Sequence, residues 1–124
     1  MREIYAQLNG EPITLGATFK ASIEISERIA DPLMIAREAA LEAMMGDRGV
    51  TYTPRWMFTV ETVPLLIWIG IKHGGGKHTL EQVQEMVFDA GFIPARAVAT
   101  DYLAAIVTPQ SDEVTASEGN QSGE

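Results

Sequence analysis

The stretch Val63–Phe92, VPLLIWIGIKHGGGKHTLEQVQEMVFDAGF, decides the fold of this chain. Its first nine residues, VPLLIWIGI, are almost wholly apolar, and a run of that length that ends in glycines is a buried segment. Three glycines, Gly74 to Gly76, stop it. Thr79 and Gln82 then stand three residues apart, the spacing at which a threonine hydroxyl and a glutamine amide satisfy each other's backbone N–H groups at a helix start. Leu80, Val83 and Val87, with Met86 and Phe88 on the flank, recur at three and four residues, while Glu81, Gln82, Glu85 and Asp89 face outward. The stretch therefore predicts a helical hairpin: one half buried, starting near Val63 because Pro64 limits how early it can begin, and the other amphipathic and closed by Gly91.

Outward from that hairpin, the N-terminal side begins with two alternating segments, Glu3–Leu8 and Ile13–Phe19, around Asn9-Gly10, a pair that accepts the positive backbone angles of a tight turn. A β-hairpin is expected there, passing near Gly16 to Thr18 into a helix from about Ala17 to Ile29. Asp31-Pro32 is a helix start, with a carboxylate to accept from free amides and a proline whose missing N–H is harmless at the first position. The helix it opens is expected to run from Pro32 to Met45 and stop at Gly46, followed by a loop to Pro54. On the C-terminal side Pro94 sits where a first helical residue would, and Val98, Tyr102, Leu103 and Ile106 keep helical register to Val107. The fold class is thus mainly α: a short N-terminal β-hairpin followed by a small bundle of about five helices, one domain over residues 1–107.

From Thr108 the sequence reads TPQSDEVTASEGNQSGE, with four acidic groups, no basic ones and one branched aliphatic. Such a segment buries too little apolar surface to offset its ordering entropy, so 108–124 is expected to be a disordered acidic tail. The whole chain of 124 residues carries a formal charge of -8. Nucleic acid and anionic membranes are repelled by that field, and the nine Lys and Arg residues are scattered rather than clustered. As a helix the Val63–Ile71 run would span ~13 Å against a hydrocarbon core of ~30 Å, too short to cross. The polar N-terminus lacks the pattern of a secretory signal, and the absence of cysteine is compatible with a reducing cytoplasm.

Little in the sequence points to catalysis. Gly76-Lys77 suggests a phosphate loop, but Ile71 stands where that pattern needs glycine and His78 where it needs a hydroxyl residue. His73 and His78 could approach one metal, yet two ligands without a third make a poor site, and a loop at the helix end is the simpler reading. Ser22 and Ser26 lie on a helix without a nucleophile-elbow pattern, and the pairs Glu24/Glu27, Glu38/Glu42 and Glu81/Glu85 read as solvated faces. No enzyme, cofactor or metal is expected.

The sequence does offer large apolar groups in a segment otherwise read as loop. Tyr52, Trp56, Met57 and Phe58, together with Met44, Met45 and Phe92, are residue types enriched where proteins meet. Met44, Met45, Arg55, Trp56, Phe58 and Phe92 are the candidate partner-binding residues, with Trp56 beside Arg55 as the leading anchor.

The order of parts also carries a resemblance. The Asn9-Gly10 hairpin leading into ITLGATFKASIEISERI, with Leu15, Gly16 and Ala17 ahead of an acidic helix, then Phe58–Ile71, the glycine break, TLEQVQEMVFDAG and a final Ala-rich helix resemble the tail assembly chaperone family of gene transfer agents and related siphophages. The likeness covers residues 3–107; the chain departs from it in a bulkier middle, Arg48–Phe58. It implies a non-enzymatic cytoplasmic protein that binds the tape-measure protein and delivers tail tube subunits to it, and that is absent from the finished particle. No family residue set is carried onto this chain. The same apolar groups suit a homo-oligomer, and the alternatives are a structural tail component or a small helical regulatory adaptor.

Overall fold

The computed structural model describes residues 2–108; of the acidic tail expected over 108–124, residues 109–124 lie outside the described residues. Two antiparallel strands, β1 (Arg2–Leu8) and β2 (Glu11–Ala17), are followed by α1 (Phe19–Arg28), α2 (Pro32–Asp47), α3 (Thr62–His73), α4 (Leu80–Ala90) and α5 (Phe92–Val107). The molecule is mainly α with an N-terminal hairpin, as the sequence predicts. Asn9 (φ 53°) and Gly10 (φ 76°) make the two-residue turn, which sets the register Leu8 opposite Glu11 and Arg2 opposite Ala17.

The apolar run becomes α3, the helix around which the rest is built. It packs on β2, α1, α4 and α5, and Val63, Leu66, Ile67, Ile69 and Ile71 are all buried. A fully buried aliphatic side chain contributes about 1.5–3 kcal/mol, so this one helix is a dominant source of stability. Trp68 is half-buried, its indole N–H donating to the His78 carbonyl at 3.1 Å. Thr79 and Gln82 form the expected capping box, with Thr79 Oγ1 accepting from the Gln82 N–H and Gln82 Oε1 from the Thr79 N–H.

Glycine has a second role at the end of α3. A Cβ on Gly16 would stand 2.2 Å from the His73 carbonyl oxygen, one on Gly74 would stand 2.4 Å from the Thr14 carbonyl oxygen, and one on Gly70 would meet Leu15 and the Tyr102 ring. β2 and α3 therefore meet backbone to backbone. The Tyr102 hydroxyl, buried in α5, donates to the Gly16 carbonyl at 2.7 Å and closes the seam. Burial pushes the Tyr102 phenol well above its usual range, with the Glu24 charge adding to it.

Three boundaries differ from expectation. α1 begins at Phe19, because the Thr18 hydroxyl accepts from the Ala21 N–H and caps it there. α2 runs through Gly46 to Asp47: the stop is made by Gly49 (φ 72°), whose N–H bonds the Gly46 carbonyl while the Val50 N–H reaches back to Met45. That double bond pattern needs a left-handed residue just past the end, and Gly49 supplies it. Finally, α5 begins at Phe92, immediately after Gly91 (φ 100°), so Pro94 is its third residue rather than its first. The first turn has no N–H to lose, and the proline is tolerated there.

Candidate functional site

The loop between α2 and α3 is organised by a carboxylate. Glu38 on α2 is 1% exposed; its carboxylate accepts from the Tyr52 hydroxyl at 2.8 Å, the Arg55 backbone N–H at 2.7 Å and the Arg37 guanidinium at 3.2 Å. The Arg55 N–H, then the Tyr52 hydroxyl, hold the Glu38 carboxyl below its usual range, and the same bond raises the Tyr52 phenol. This corrects the reading of Glu38 with Glu42 as a solvated pair: Glu42 is exposed and Glu38 is not. Its neighbours 14 and 17 residues away supply the donors.

Pinned at Tyr52 and Arg55, the loop runs on with alternate residues turned inward. Trp56 and Phe58 are half-buried and pack edge to face, with ring centroids 4.9 Å apart, while Met57 stays 60% exposed. Between α2, this loop and α5 lies a groove of about 320 Å³ lined by Ile35, Ala39, Glu42, Trp56, Met57, Phe58, Arg96 and Thr100 among others. A second hollow of about 250 Å³, sharing Phe58 and Arg96, continues to Val60, Phe92 and Ile93. Val60 and Ile93 are 64% and 79% exposed, and Phe92 meets the exposed Phe88 edge to face at 6.3 Å. A track of apolar side chains thus runs from Trp56 to Phe88 between the polar groups of Glu42, Arg96 and Thr100, with Glu85 and Asp89 beside it on the outer face of α4.

Of the candidate partner-binding residues, Trp56, Phe58 and Phe92 line this track. Met44 is exposed and Met45 half-buried on α2, and neither lines it. Arg55 contributes its backbone N–H to Glu38, and its side chain is exposed outside the groove. The sequence reading missed Val60, Ile93 and Arg96. Ile93 stands between Gly91 and Pro94, outside both helices the sequence predicts, and only the structure places it as an exposed residue of α5.

A second polar cluster ties α1 to the end of α3. Glu24 receives the Lys72 ammonium at 2.7 Å, the His73 Nε2 at 2.8 Å and the Arg28 guanidinium at 3.1 Å. Lys72 also lies 3.9 Å from the Trp68 ring centroid. Burial works to raise the Glu24 carboxyl, but the hydrogen bonds and charges of Lys72 and His73 outweigh it and hold the group below its usual value. Glu24 was thus also misread as solvated. His73 is the last residue of α3 rather than part of a loop, and His78 turns elsewhere, to Glu11 at 2.9 Å.

Among the described residues no helix is long and apolar enough to cross a membrane, and no group of three or more His, Asp or Glu side chains is placed to hold a metal ion. No family model, curated protein or solved structure matches the chain.

Proposed function

We propose that this protein is a phage-like tail assembly chaperone: a non-enzymatic binding protein that covers apolar helical segments of a tape-measure protein in the cytoplasm and helps recruit tail tube subunits. The observation that carries the reading is the apolar track from Trp56 through Phe58, Phe92 and Ile93 to Phe88, open on an acidic molecule. Amphipathic helices dock in grooves of this kind by their apolar stripe. Glu42 in the groove wall, with Glu85 and Asp89 beside Phe88, suits a helix whose stripe is flanked by lysine or arginine at those points, with an acidic residue facing Arg96 where the two hollows join. The tape measure as occupant follows from the resemblance in element order, and the net charge of -8 would keep a coated complex in solution.

The test is co-expression with the tape-measure protein of the same locus, followed by size-exclusion chromatography and mass measurement. Co-elution with several copies per tape measure is the expected result, and Trp56→Ala should weaken binding about tenfold or more. A tape measure that stays unbound, or binding indifferent to Trp56→Ala and Ile93→Ser together, overturns the assignment of this groove.

A further inference from the structure

The two outer edges of the hairpin are treated differently. A two-residue turn makes Leu8 and Glu11 a hydrogen-bonded pair, and bonded pairs then alternate along the ladder: Ala6 with Ile13, Ile4 with Leu15 and Arg2 with Ala17. The residues between them turn their backbone groups outward. On β2 these are Pro12, Thr14 and Gly16, and all three are dealt with. Pro12 has no N–H to offer, the Thr14 carbonyl and Gly16 nitrogen lie against Gly74, and the Gly16 carbonyl takes the Tyr102 hydroxyl. On β1 the outward residues are Glu3, Tyr5 and Gln7, and their backbone groups have no hydrogen-bond partner among the described residues.

An uncovered edge is ordinarily blunted by lysine, proline, a bulge or a covering helix. Among the described residues Pro12 and the α3 end blunt β2, whereas β1 is an unbroken seven-residue strand with no lysine, proline or bulge; its two charged residues are Arg2, turned to α5, and Glu3. Its side chains also leave business unfinished on both faces. Tyr5 is 74% exposed on the outer face, and beneath it Ile4 and Ala6 are only partly covered by the core.

We propose that the β1 edge joins the β1 edge of a second copy of this chain, antiparallel about a two-fold axis at Tyr5, giving a continuous four-stranded sheet. In that register Tyr5 faces Tyr5 of the other copy, and Glu3 faces Gln7 in both directions. The three outward pairs exchange about six backbone hydrogen bonds. No like charges stand opposite each other: the Glu3 carboxylate meets a glutamine amide that can donate to it. On the underside Ile4 comes across from Ala6, so the partly covered apolar positions of the two copies close over one another. The edge is therefore complementary to itself, which a two-fold contact requires.

Sedimentation velocity of the full chain over a concentration series tests this, with amide hydrogen exchange as a site-resolved readout. The expected result is a monomer–dimer equilibrium in which the Glu3, Tyr5 and Gln7 amides become protected as dimer forms. Tyr5→Pro removes an N–H unused within the monomer, so it should give monomer at every concentration, melting as the wild type does when diluted below its dimer Kd. Gln7→Glu sets like charges opposite twice per dimer and should raise the dimer Kd about five- to tenfold; Gln7→Lys should lower it by a similar factor. Trp56→Ala should leave the dimer Kd unchanged, which separates this edge from the groove. Monomer at every concentration, a dimer indifferent to Tyr5→Pro, or Gln7→Glu and Gln7→Lys acting in the same direction would each overturn the proposal. So would protected edge amides in a monomer, which would mean that residues of the chain's own tail cover β1.

Discussion

The seam between β2 and α3 and the face between α2 and α5 are both places where two elements meet, and they are finished in opposite ways. At the seam Gly16 and Gly74 let backbones touch, Gly70 makes room for the Leu15 side chain and the Tyr102 ring, and Leu15, Ile69, Ile71 and Tyr102 are buried. At the α2–α5 face the two helices pack together and a loop lies over their junction, its half-buried Trp56 and Phe58 covering the core on one side and leaving a groove on the other. Regular backbones packed directly exclude everything else. A loop pinned by one carboxylate covers the core while keeping apolar surface available for binding, because side chains rather than backbones set the spacing.

Substitutions should act very differently on the two regions. The largest effect is expected in α3 itself: Leu66→Ala, which empties a 1%-exposed site, should destabilise by about 2–5 kcal/mol in urea unfolding. A loss below about 1 kcal/mol would mean that α3 is not the centre of the core. Next, Gly16→Ala drives a methyl group into the His73 carbonyl and should cost about 1–3 kcal/mol. A neutral result there would show that the seam has slack and is no different in kind from the groove.

Acid should act on both regions, through Glu24 near the seam and Glu38 under the loop. Both carboxyls are held below the ordinary value of 4.5, so the stability they contribute is whole above that pH and is lost as pH falls through their lowered values. In a Trp68→Phe background, Trp56 fluorescence reports the loop alone; it should change in that acid window, and Glu38→Gln should remove the change. A Trp56 signal flat in acid until global unfolding would detach the loop from Glu38. The smallest effect belongs to the groove rim, where Ile93→Ser, at a 79%-exposed position, should alter stability by less than about 0.5 kcal/mol. A larger loss would turn the rim into core and remove the contrast.

What the sequence discloses follows from range. Asn9-Gly10, Asp31-Pro32 and the Thr79–Gln82 box act within a few residues, and each stands where its local chemistry predicts. Gly46 is the stop the sequence predicts for α2, but the helix runs on to Asp47, and the reach of the Val50 N–H back to Met45 puts the stop at Gly49. Glu38 was beyond local reading: its spacing to Glu42 matches a solvated face, and the donors that bury it arrive from a loop without periodicity. The same holds for the groove. Trp56, Phe58 and Phe92 were legible as adhesive residue types, but Arg96 and Ile93 join them only through the packing of α5 beside α2, α3 and the loop between them.

The order of synthesis gives the last helix a particular standing. The Arg2 guanidinium donates to the Ala105 and Thr108 carbonyls, and the Tyr102 hydroxyl to Gly16, contacts that join residues 103, 106 and 86 positions apart. During synthesis the hairpin is complete long before the acceptors and donor of α5 exist. A nascent chain arrested short of α5 therefore has its turn and its strands but an unclasped N-terminus and a Gly16 carbonyl without its donor. Completion of the final helix is the event that locks the first strand, and premature termination in that helix should be felt at the opposite end of the chain.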